Sequence, residues 1–133
     1  MNPLLVGEVN PYGADPAFAL YPYPRGASGD RLREILGLTT AEYLRRFDRA
    51  NLCSRKWDAA AARGRATDLL GERPGGTFVL LGVKVQSAFG VDRTREPHAT
   101  FITLPHPSGR SRAWNVPGAR ESARLALQSA GCL

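Results

Sequence analysis

The chain has 133 residues, of which 43% are hydrophobic and 23% charged, a size and balance that fit one folded domain and exclude a second full-sized core or a disordered chain. No apolar run approaches the roughly 20 residues of a membrane span, and the start MNPLLVGEVNPYG lacks the basic and long apolar segments of a secretory leader, so a cytoplasmic location away from membranes is expected. The net charge of +6, carried mostly by arginine, suits a polyanionic partner, although an arginine-, alanine- and glycine-rich composition also follows from a GC-rich genome, and charge alone decides little.

Leu4, Leu5 and Val6 form a short apolar run that stops at Gly7 and precedes a loop punctuated by Pro and Gly through Gly29, the pattern of a buried parallel strand. Ser28 is placed to cap a helix, Asp30 suits its first turn, Leu32, Ile35 and Leu36 mark one apolar face, and Gly37 ends it. Thr39 and Glu42 have capping-box spacing ahead of a second helical stripe of Tyr43, Leu44 and Phe47. Asn51, Leu52 and Cys53 read as a brief strand, and residues 57–70 as an alanine-rich helix closed by Pro74, Gly75 and Gly76. Thr77, Phe78, Val79, Leu80 and Leu81 are the clearest strand, followed after Gly82 by a short helix over residues 83–89. Thr100, Phe101, Ile102, Thr103 and Leu104 repeat the strand pattern, Pro117 sits where a first helical residue is tolerated, and residues 119–130 supply a last amphipathic helix. Strands separated by helices predict an α/β fold in three layers, with a short, mainly parallel four-stranded sheet and one domain over residues 1–133. Cys53 and Cys132 have neither metal-site nor disulfide-framework spacing and are expected to be buried free thiols.

In open sheets of this kind ligands bind beyond the carboxyl ends of the strands. Two loops there carry polar side chains: Gly7-Glu8-Val9-Asn10-Pro11-Tyr12-Gly13 after the first strand and Pro105-His106-Pro107-Ser108-Gly109 after the last. Pro11 and Pro107 stiffen the turns and the glycines permit close backbone approach, so Asn10 and His106 are expected to project into one crevice. Taken singly, Asn10 also fits a turn cap and His106 a partner for a backbone carbonyl.

Together the two loops resemble the motifs of the uracil-DNA glycosylase superfamily. Asn10-Pro11-Tyr12 resembles the D-P-Y or N-P-G segment of the first motif, and His106-Pro107-Ser108-Gly109 resembles the second, which begins H-P-S. Ser28-Gly29-Asp30-Arg31-Leu32 is similar to the S-G-x-x-L helix start of the iron–sulfur branch, Asn51-Leu52-Cys53 to the short strand whose asparagine reads the base, and Leu80-Leu81-Gly82 with Lys84, Ala88 and Phe89 to the L-G-x-x-A helix start. There are departures. Gly7 precedes Asn10 by three positions instead of two, two cysteines cannot ligate a four-cysteine cluster, and Arg110-Ser111-Arg112 stands where many relatives carry an apolar wedge.

The resemblance implies a DNA glycosylase that hydrolyses the N-glycosidic bond of uracil, or of another deaminated or modified base, flipped from single- or double-stranded DNA. His106 would donate to a carbonyl of the leaving base, either Asn10 or Glu8 would position water, and Asn51 would read the base edge. Tyr12 would wall the pyrimidine C5 position and Phe18 or Tyr21 would stack on the base, unless these aromatics serve packing alone. Ser28, Ser108, the Gly109 amide, Arg110 and Arg112 would meet phosphates. Neither a metal nor another cofactor is called for, and a monomer bound to DNA is expected. Two other readings use the same crevice: a module that binds a nucleobase or nucleic acid without cleaving it, and a hydrolase of free or modified nucleotides.

Overall fold

A computed structural model describes residues 1–10, 15–90, 98–108 and 111–133. The candidate residues Tyr12, Gly109 and Arg110 lie outside them. Four strands, β1 (Leu4–Asn10), β2 (Asp48–Ser54), β3 (Thr77–Leu81) and β4 (Thr100–Leu104), form one sheet in the order β2-β1-β3-β4, with every neighbouring pair parallel. The helices are α1 (Ser28–Ile35), α2 (Thr40–Arg46), α3 (Ala59–Glu72), α4 (Val83–Phe89) and α5 (Ala119–Ser129).

Alternation along the strands divides the core in two. Leu5, Val79 and Leu81 point to the face covered by α1, α2 and α5, where they meet Leu32, Ile35, Tyr43 and Leu127. Leu4, Val6, Phe78 and Leu80 point to the other face, against Ala62, Ala66 and Leu69 of α3 and Val85 and Phe89 of α4. A central parallel strand buried on both faces must be apolar at successive positions, and Phe78, Val79, Leu80 and Leu81 of β3 are all fully buried. The result is a three-layer α/β/α arrangement. Cys53 and Cys132 are free, buried and on opposite faces of the sheet. No helix among the described residues is long and apolar enough to cross a membrane.

The helix ends show the local chemistry. Thr39 and Glu42 close a reciprocal capping box on α2, the Thr39 hydroxyl accepting from the Glu42 N–H and the Glu42 carboxylate from the Thr39 N–H. α1 ends in a Schellman motif: Gly37, at φ 70°, donates to Glu34 O and Leu38 donates to Arg33 O. Other boundaries differ from the sequence expectation. Ala27, not Ser28, is the N-cap of α1, and the acceptor in its first turn is the Asp30 carboxylate, which reaches back to the Gly26 N–H. α3 starts at Ala59 and leaves Trp57 outside, because Asp58 accepts from the Ala60 and Ala61 N–H groups. α5 starts after Gly118, whose left-handed φ of 82° separates Pro117 from the helix. Two short 3-10 turns, Pro16–Phe18 and Ala113–Asn115, were not anticipated.

One difference bears on the site. β1 does not stop at Gly7 but runs to Asn10, because β2 continues beside it and pairs Val9 with Cys53 and Asn10 with Ser54. Glu8 and Asn10 are therefore the last rungs of a strand and not tips of a loop. From β1 the chain passes through α1 and α2 to β2 on one side, and from β3 through α4 to β4 on the other. The crevice at such a reversal of strand order lies beyond the carboxyl ends of β1 and β3.

Candidate active site

A cavity of about 400 Å³ opens at this crevice, lined by Glu8, Asn51 and His106 on the sheet side and by Phe18, Leu20, Tyr21, Tyr23 and Ser28 opposite. Glu8 comes from the end of β1, Asn51 from the middle of β2, and His106 from the turn after β4.

His106 is fixed at three points. Its carbonyl accepts from the Trp114 indole N–H at 3.0 Å, its Nδ1 accepts from the Ser108 N–H at 3.0 Å, and the next carbonyl, of Pro107, accepts from Arg31 Nε at 3.0 Å. A nitrogen that accepts an N–H bond carries no proton, so the ring's proton sits on Nε2. Nε2 stands 3.8 Å from Glu8 Oε2, too far for a direct hydrogen bond and close enough for an atom of a bound molecule to engage both groups. Both side chains pack over Gly82, the residue after β3. A Cβ there would lie 3.2 Å from His106 Cβ and 3.4 Å from Glu8 Oε2, and its φ of 97° also favours glycine. A second cavity, of about 480 Å³, shares Glu8 and His106 with the first and continues along Gly82, Lys84, Thr103 and Ser111.

Asn51 is oriented from behind. Its Nδ2 donates to Asn10 Oδ1 at 2.8 Å, and its own Oδ1 lies against Gly7, where a Cβ would collide with it. Asn10 itself is only 5% exposed and does not line the cavity with His106. It lines a neighbouring cavity with Arg49 and Arg65, and Asn51 borders both cavities. Asn10 and His106 thus do not share a crevice as expected; Glu8 stands beside His106 instead. The longer β1 explains this: Asn10 pairs with Ser54 of β2, and its amide oxygen accepts from Asn51 of the same strand.

The opposite wall is held by a strained residue. Leu20 has φ 51°, a left-handed conformation that costs a bulky residue about 1–2 kcal/mol. Its carbonyl accepts from the buried Tyr43 hydroxyl at 2.8 Å, and Gly29 of α1 packs so closely on the Leu20 and Tyr21 carbonyls that a Cβ would collide with them. Such over-determination is what lets a strained conformation persist. Burial also pushes the Tyr43 phenol well above its ordinary range. From this wall Tyr21 meets Phe18 edge-on at 5.0 Å and Tyr23 at 5.9 Å, while the Arg49 guanidinium lies 5.9 Å from the Tyr21 ring centre.

Glu8, Asn51, His106, Phe18, Tyr21 and Ser28 therefore converge on one cavity. Ser108 holds the His106 ring through its backbone N–H, and Arg112 is exposed just before the Ala113–Asn115 turn. Sequence reading missed Arg31, Tyr43 and Trp114, which position the site from other elements, and the close-contact roles of Gly7, Gly29 and Gly82. The available signal was a glycine directly after an apolar run, at Gly7 and Gly82.

No protein-family model matches the chain, and no curated protein matches it. Among the described residues no three His, Cys, Asp or Glu side chains converge to hold a metal ion. The cavity instead presents one N–H donor, one carboxylate beside it, one oriented amide and a rim of aromatic rings. Such a set can stabilise negative charge on a departing group while a carboxylate directs water at the opposite end of the breaking bond.

Proposed function

We propose that the chain is a DNA glycosylase of the uracil-DNA glycosylase type, hydrolysing the bond between deoxyribose and uracil, or another deaminated or modified base, turned out of DNA. The observation that carries this reading is the pairing of His106 Nε2 with the Glu8 carboxylate at 3.8 Å inside a cavity rimmed by aromatic side chains. In the reaction the C1′–N bond breaks, its electron pair leaves with the base, and the sugar becomes oxocarbenium-like. His106 Nε2–H donates to a base carbonyl and stabilises the charge that develops there, acting as an oxyanion hole. Glu8 directs a water molecule at C1′ and takes its proton as the new C–O bond forms. Between Glu8 and Asn10, the cavity geometry favours Glu8, a true general base where an amide is not. Asn51 reads the base edge, and the base lies against Leu20 and Tyr21.

The test is to incubate the wild-type protein and His106→Ala with labelled single- and double-stranded oligonucleotides containing uracil, hypoxanthine, xanthine or thymine mismatches, then to cleave abasic sites with alkali. Strand breakage by the wild type, lost in a folded His106→Ala protein, is expected. Breakage that survives the substitution would remove His106 from the chemistry, and no breakage on any of these substrates would count against the reading.

A further inference from the structure

The aromatic rings at the mouth of the cavity are exposed well beyond what lining it requires. Phe18 is 56% exposed and Tyr23 60%, yet both border the cavity that holds Glu8, Asn51 and His106. Tyr21 lies between them, with the neighbouring ring centres at 5.0 and 5.9 Å. The segment that carries them is not loose. Asp15 caps the Pro16–Phe18 turn, and Leu20 is clamped between the Tyr43 hydroxyl and Gly29. Solvent-facing aromatic rings on a pinned segment, beside a cavity of about 400 Å³, form a stacking platform. The Arg49 guanidinium over Tyr21 and the net charge of +6 make its surroundings favourable to a phosphate backbone.

We propose that Phe18 and Tyr23 stack on the unpaired bases flanking the one that enters the cavity, so that the protein takes its target from single-stranded DNA in preference to duplex. In a duplex each flanking base already has neighbours on both faces and a partner on its edge, so the two rings gain nothing without disrupting it. In a single strand those faces are free. Base-on-aromatic stacking is tolerant of sequence, because every base has a π face. The inference rests on the reading of the cavity as a base pocket and adds to it the strand state of the substrate.

Binding is to be measured by fluorescence anisotropy at fixed salt, with a dye-labelled single strand of mixed sequence and its duplex, neither containing a modified base. Wild type is expected to bind the single strand more tightly. Phe18→Ala and Tyr23→Ala are each expected to weaken single-strand binding by about 5- to 150-fold and to leave duplex binding unchanged, while Tyr23→Phe keeps the single-strand affinity. Equal losses on both DNAs, or no loss on the single strand, would overturn the inference. Both side chains are exposed, so thermal melting of the variants is expected to match wild type. These DNAs hold no cleavable base, so the result is independent of strand breakage. Selective binding without breakage on modified substrates removes the glycosylase reading alone, and breakage without selective binding removes the platform alone.

Discussion

Asn51 Nδ2 donates to Asn10 Oδ1 at 2.8 Å, and through this bond a residue outside the cavity sets which end of an amide faces into it. Asp at position 10 can only accept, and so holds Asn51 in the same orientation; Leu cannot hold it at all. Asn10→Leu is expected to lower stability by about 1–3 kcal/mol, the cost of an unmade buried hydrogen bond, and to blur the preference between bases with opposite donor and acceptor patterns. Asn10→Asp is expected to keep that preference. Urea melts and competition between uracil- and cytosine-containing strands measure the two effects. Retained discrimination in a folded Asn10→Leu protein would show that Asn51 is oriented by something else.

In the proposed reaction Glu8 and His106 act at opposite ends of the bond that breaks, so their substitutions are expected to reduce turnover more than binding. Loss of the His106 donor is expected to lower kcat by about 10²- to 10³-fold, and Glu8→Gln, which keeps shape but not basicity, by about 10²- to 10⁴-fold. Single-turnover kinetics with excess enzyme separate chemistry from binding. Glu8→Gln at wild-type rate would assign water positioning to another group.

Gly82 brings the two together, since its absent side chain leaves room for both His106 Cβ and Glu8 Oε2. Gly82→Ala meets both a φ of 97° with ψ of 163°, a region essentially reserved for glycine, and this crowding, and is expected to cost about 1–3 kcal/mol in backbone conformation together with activity. Gly75→Ala is a matched control: it too has a positive φ, 69°, but its Cβ meets nothing within 4 Å. A loss of stability shared by both variants with a loss of activity confined to Gly82→Ala is the expected pattern in parallel melts and cleavage assays.

The layered architecture was legible because its signals are local. The uninterrupted, β-rich β3 run read as the clearest strand, and Thr39 with Glu42 announced a helix start that the capping box realises. The loop holding His106 was legible for the same reason, as a polar residue between prolines at a strand end. Contacts between distant elements were not legible. How far β1 runs depends on its pairing with β2, so the direction of Asn10 could not be read from the first motif alone. Tyr43 read as one residue of an apolar helical stripe, whereas its hydroxyl holds a carbonyl 23 residues earlier. Arg31, read only as part of the Ser28-Gly29-Asp30-Arg31-Leu32 helix start, ties α1 to the Pro107 carbonyl.

Two carboxylates link the fold to pH. Asp30 accepts from the Gly26 N–H and from Arg33, and Glu42 accepts from the Thr39 N–H beside the Thr39 hydroxyl, so that each is held below its ordinary value, first by the backbone bond and then by the side chain. A carboxylate depressed in the folded state stabilises it at pH values above the unfolded pKa, about 4. That contribution is lost as the pH falls through the lower folded value, because the unfolded chain there binds more protons. Urea melts are expected to show level stability down to about pH 4 and a decline below it. An Asp30→Asn/Glu42→Gln double variant is expected to start less stable at neutral pH and to decline less steeply in acid. Parallel curves for the two proteins would mean that other carboxylates carry the acid dependence.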